Sequence, residues 1–186
     1  MAGITRIKIV GNTGHMNEKN LALAEDYRLW ADALYHTLFE ECGYPLSDGA
    51  AILECAWEEL AARYDYQEGI DILLNFQDGT RGTLQEKVLD WHEDTLTIEN
   101  MKGYNHSPGA WFKCTAQYYA AVYPQERADP AQGLRSGIIV NLPALHIATA
   151  HGRIPWGFRG DIDAGRNQFR WVYFDDIPDD CTVARF

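Results

Sequence analysis

Apolar and polar residues along this chain follow two different periods, which divide it into elements. Residues 4–10, ITRIKIV, alternate with a period near two, the pattern of a short strand. From residue 17 to Gly43 the period lengthens. Leu23, Tyr27, Trp30, Leu34 and Leu38 recur at steps of three and four, predicting an amphipathic helix with Gly43 as its stop. A second helix is predicted over residues 50–64, AAILECAWEELAARY, with Ile52, Leu53, Ala56, Trp57 and Leu60 on one apolar face. Two apolar runs, residues 70–76 and 83–91, flank Asp78-Gly79 and Gly82, a hairpin signal. Residues 95–102 alternate as a third strand. Pro108 precedes a predicted helix over 110–123, AWFKCTAQYYAAVY, which Pro124 ends. Residues 137–148 read as an apolar strand broken at Pro143, and further strands are expected at 169–174 and 181–186. Helices, then three strands, then a helix and a strand predict an α+β fold: a mixed β-sheet flanked by helices.

The composition sets the class. At 186 residues, with 46% apolar and 23% charged side chains, the chain suits one soluble domain over residues 1–186 with a core of its own. It holds no run of about 18 apolar residues, the length a spanning helix needs. The apolar stretch at the N-terminus is too short for a signal peptide, so a cytoplasmic protein is expected. Cys42, Cys55, Cys114 and Cys181 have no CxxC spacing and read as reduced structural thiols. The net charge of −11, from 27 acids against 16 bases, opposes a broad phosphate-binding surface. Divalent metals can offset carboxylates at one site, so the objection is to the surface as a whole.

The candidate chemistry lies in the hairpin, EGIDILLNFQDGTRGTLQEKVLDW. Side chains alternate faces along a strand, so Gln85 and Lys87 point one way and Glu86 the other. With Asp71 on the neighbouring strand and the same face, a carboxylate, an amide and an ammonium converge. The first two ligate hard cations, and the third orients water and offsets charge on a phosphate. Asp71 followed by Gln85-Glu86-Lys87, after a predicted helix and before a strand, a helix and a strand, resembles the PD-(D/E)XK nuclease superfamily over residues 50–148. There is no Pro before Asp71, and Gln85 stands where an acid is usual.

The resemblance implies a restriction-endonuclease-like fold. It implies metal-dependent hydrolysis of DNA phosphodiester bonds with Mg²⁺ or Mn²⁺, in a phage, mobile-element or restriction setting. Asp71 and Gln85 would hold the metal, with Glu58 or Glu54 from the preceding helix, and Lys87 would position water. Lys113 and Gln117, four apart on the predicted helix, would contact phosphate. A homodimer would let the enzyme cut both strands. The alternative is a nuclease-like module without activity that binds a protein partner, which the acidic charge and Gln85 favour.

Ordinary explanations stand beside these. Asp71 and the Gln-Glu-Lys triplet also suit a solvated strand edge. Glu54 and Glu58 suit an exposed helix face, and the aromatic residues near Trp111 suit core packing. His92, Glu93 and Asp94 are contiguous and read as a turn, because neighbouring side chains diverge. HGRIPWGFRG, residues 151–160, is the most basic region. It reads as a loop, with base stacking and phosphate contact as its functional alternative.

Overall fold

The computed structural model describes residues 2–10, 18–56, 69–89, 93–126 and 129–186. The chain runs β1 (Ile4–Val10), α1 (Glu18–Glu41), β2 (Ala50–Ala56), β3 (Ile72–Asn75), β4 (Arg81–Val88), β5 (Thr95–Lys102) and β6 (Ser107–Pro108). It continues through α2 (Ala110–Lys113), β7 (Tyr118–Pro124), β8 (Leu134–Asn141), α3 (Leu142–Ala150), β9 (Gly157–Arg159), β10 (Gln168–Tyr173) and β11 (Thr182–Arg185). The class is α+β. Among the described residues, seven strands form one mixed sheet in the order β11-β8-β7-β4-β3-β1-β2, with β1/β2 and β4/β7 parallel. The other four form an antiparallel sheet in the order β6-β5-β10-β9. Among the described residues no helix is long and apolar enough to cross a membrane.

Strand alternation divides the interior into two cores. Ile4, Ile72, Leu74, Leu84, Tyr118, Ala120 and Val122 face α1 and pack on Tyr27, Ala31, Tyr35 and Phe39. The intervening residues of β7 and β8, Tyr119, Ala121, Tyr123, Ile138 and Val140, face the small sheet, α3 and Trp111. Two tyrosines tie the sheets together. The Tyr119 hydroxyl donates to the Thr97 carbonyl at 3.1 Å, and the Tyr123 hydroxyl to the Thr95 carbonyl at 2.5 Å. A buried carbonyl left without such a donor costs about 1–3 kcal/mol.

Several elements differ from their sequence patterns. The buried seam of α1 runs through Tyr27, Ala31, Tyr35 and Phe39, whereas Trp30 is half exposed. Residues 50–56 are a strand, not a helix. They pair in parallel with β1 from Ile4↔Ala50 to Val10↔Ala56, and that ladder outweighs the small helix preference of Ala, Leu and Glu. The rest of that predicted helix, 57–64, lies outside the described residues. The predicted helix over 110–123 ends at Lys113. Residues 118–124 form a central strand buried at every position, and a continuous apolar run does not distinguish the two by period. The predicted strand over 137–148 divides into β8 and α3, because Asn141 caps a helix there. Its side chain accepts from the Ala144 N–H at 3.0 Å, and Pro143 sits in the first turn. Finally, β5 does not extend the β3–β4 hairpin. It pairs with β10 in the other sheet.

Candidate active site

The triplet Gln85-Glu86-Lys87 is shared between the two sides of the large sheet. Glu86 faces α1, where it is buried in an ion network. Arg6 donates to both of its carboxylate oxygens, at 2.8 and 3.0 Å, and the Tyr35 hydroxyl donates at 2.7 Å. Arg6 also donates to Asp32 at 2.8 Å. Burial disfavours the Arg6 charge, but Glu86 and then Asp32 outweigh it and hold its pKa above the ordinary value. Burial pushes the Asp32 carboxyl upward, with Arg6 opposing. The network holds α1 on the sheet.

On the opposite face, Asp71 stands across from Gln85. Its backbone joins the ladders on both sides: Ile7 N–H donates to the Asp71 carbonyl at 2.9 Å, and Asp71 N–H to the Leu84 carbonyl at 3.0 Å. The carboxylate Oδ2 accepts from the Gln85 Nε2 at 2.6 Å and from the Glu86 backbone N–H at 2.8 Å. Gln85 is buried, whereas Lys87, two residues on and on the same face, is exposed. Asp71, Gln85 and Lys87 thus share one side of two adjacent antiparallel strands.

Two further residues border this group. Cys114 donates to the Gly69 carbonyl at 3.2 Å, and its sulfur lies 3.9 Å from Gln85 Oε1. Burial pushes the Cys114 thiol up to about 11, with Asp71 adding to the rise and Lys87 opposing it. The sulfur feels both charges, and the thiol stays protonated. Gly69 has φ +63, and a Cβ there would lie 2.6 Å from Gln85 Oε1 and 3.0 Å from the Cys114 sulfur. The sequence pattern singled out Cys114 only as a reduced structural thiol and did not single out Gly69. A glycine two positions before Asp71 was the available signal, and Cys114 carried none.

The remaining predicted residues lie elsewhere. Glu54 is exposed on the edge strand β2 and is paired with Lys8, so it falls on the α1 side of the sheet, opposite Asp71. Glu58 lies outside the described residues. Lys113 is exposed at the end of α2, directly before Cys114. Gln117 shares no helix with it: its amide donates to the Tyr118 hydroxyl at 3.1 Å, and its backbone N–H to Thr83 Oγ1. Of the turn residues, Asp94 accepts from Arg135 at 2.8 Å and Ser136 at 2.6 Å.

Among the described residues, no three His, Cys, Asp or Glu side chains form a cation-binding group. A divalent cation here would rest on the Asp71 carboxylate and the Gln85 amide oxygen, with water and substrate oxygens completing its shell. Mg²⁺ is commonly bound in this way, through one or two carboxylates. The donor types fit Mg²⁺, although Gln85 currently turns its N–H toward Asp71, and the amide must rotate to offer oxygen. Comparison with protein-family models, curated proteins and solved structures gives no match.

Proposed function

We propose that the chain hydrolyses phosphodiester bonds in DNA with Mg²⁺ or Mn²⁺ held at Asp71, on a restriction-endonuclease-like core. The observation that supports this reading is the shared face: Asp71 and Gln85 in contact across two strands, with the exposed Lys87 beside them. A bound cation would supply Lewis acidity and an acidified water. Asp71 carries the charge that binds it, and Gln85, once its amide turns, adds a neutral oxygen ligand. Lys87 orients the attacking water and offsets the charge that develops on the phosphate. Lys113, exposed nearby in the sequence of the Cys114 segment, steadies the substrate backbone. A second copy of the chain would serve the second strand of a duplex.

Cleavage of plasmid and of circular single-stranded DNA with Mg²⁺ or Mn²⁺ tests this reading. Asp71→Ala and Lys87→Ala are expected to lower the rate by two orders of magnitude or more, about the cost of removing a charge-stabilising group. Equal rates in the wild type and both variants end the reading. A second reading, a nuclease-like module that binds a protein partner, is favoured by the engagement of Asp71 Oδ2 with two N–H donors and by the net charge of −11. Calorimetry that detects no Mg²⁺ or Mn²⁺ binding, together with no cleavage, selects this second reading.

A further inference from the structure

Arg170, on β10, is a buried cation that meets no carboxylate among the described residues. The residue is only 8% exposed, and its hydrogen-bond acceptor is the neutral Asn100 Oδ1, at 3.2 Å from Nε and 2.6 Å from Nη2. Four aromatic rings surround the guanidinium. Its carbon lies 4.1 Å from the centroid of Trp111, 5.4 Å from Trp156, 5.6 Å from Phe158 and 5.8 Å from Phe112. His146 stacks on Trp111 at 3.9 Å. Cation–π contact recovers only part of what an arginine loses when it leaves water. Burial lowers the Arg170 pKa to about 10. Among the described residues, Nη1 makes no hydrogen bond.

The two outer rings are not core residues. Phe112 is 58% exposed and Phe158 55%, although each lies against the same guanidinium. Phe158 stands directly opposite Arg170 in the β9–β10 ladder, which fixes its face. Phe112 comes from α2, whose next residues are the exposed Lys113 and then Cys114, the neighbour of Gln85. Exposed rings beside a donor-bearing cation suit a ligand with flat faces and negative charge. Duplex DNA hides its base faces, whereas unpaired bases stack on aromatic side chains without regard to sequence.

We propose that Phe112, Phe158 and Arg170 form a stacking platform for single-stranded nucleic acid, with bases on the two phenyl rings and a phosphate or base oxygen on the guanidinium. As an account of the substrate it rests on the hydrolytic reading above, and it narrows that substrate to unpaired strands or ends. It also answers the objection from net charge, because the affinity comes from stacking at one cation and not from a broad basic surface.

The test is fluorescence anisotropy of a labelled 12-nucleotide oligo-dT with the full chain in EDTA, beside oligo-U and a duplex of equal length. The wild type is expected to bind single strands in preference to duplex. Phe112→Ala with Phe158→Ala is expected to weaken that binding by about 5- to 150-fold for each stacked base lost, with the circular dichroism spectrum unchanged. Both positions are exposed, so folding does not confound the result. Ring-dependent binding of either oligonucleotide supports the platform, and their ratio assigns DNA or RNA. Absence of single-strand binding, equal binding by the double variant, or a ring-dependent dimer that binds no oligonucleotide overturns it. Because binding is read without divalent metal, a chain that binds by its rings but never cleaves refutes the hydrolytic reading alone. A chain that cleaves but binds independently of the rings refutes the platform alone.

Discussion

Replacing Glu86 with alanine removes three hydrogen bonds at once: two from Arg6, at 2.8 and 3.0 Å, and one from the Tyr35 hydroxyl at 2.7 Å. The Arg6 and Glu86 side chains are only 13% and 5% exposed, so water does not screen the loss. Removing one partner of such a pair costs about 3–5 kcal/mol, because the other charge stays buried. Asp32 remains for Arg6 and moderates this, but Tyr35 loses its acceptor, which adds about 1–3 kcal/mol. The two costs overlap where water enters the vacated space, so about 4 kcal/mol is expected. At about 2–4 °C per kcal/mol for a chain of this size, the melting temperature falls by about 8–16 °C. Urea denaturation monitored by tryptophan fluorescence measures the change. Glu86→Gln, which keeps the volume and one acceptor, should lose about half as much. Lys87→Ala, on the opposite face and exposed, should stay within about 0.5 kcal/mol. A loss below about 1 kcal/mol for Glu86→Ala, or an equal loss for Lys87→Ala, would refute the assignment of Glu86 to the fold and Lys87 to the site.

Two other outcomes follow from the same region. Gly69→Ala puts a Cβ into a left-handed backbone and against Gln85 Oε1, so it should cost about 2 kcal/mol and slow any cleavage that depends on the Gln85–Asp71 contact; a change within 0.5 kcal/mol contradicts this. With its pKa near 11, Cys114 is about 0.1% thiolate at pH 8, so alkylation followed by mass spectrometry should speed up about tenfold per pH unit toward pH 11. Because the folded pKa lies above the ordinary value of 9.0, the thiol's contribution to stability is intact below pH 9 and is lost as pH rises toward 11. A labelling rate that levels off near pH 9 would show that the Cys114 thiol is not raised above its ordinary value.

The sequence by itself determined what depends on near neighbours. The period of residues 4–10, the α1 pattern and the Asp78-Gly79 turn were enough for those elements, because alternation and turn chemistry are local. Alternation also separated Glu86 from Gln85 and Lys87. The signal for α3 was present in Asn141 and Pro143, although the apolar run around them reads equally well as a strand. Tertiary structure decided the rest. AAILECA became β2 because the edge of β1 offered it a complete ladder, and YYAAVYP became β7 because neighbours cover both its faces. Neither condition is written in the seven residues themselves. The same holds for Arg6, Asp32, Tyr35 and Glu86, which meet across as many as 80 positions, and for Arg170 with Trp111, Trp156 and Phe158. Their chemistry depends on burial and on which side chains meet there, and those follow only from how the strands and helices pack.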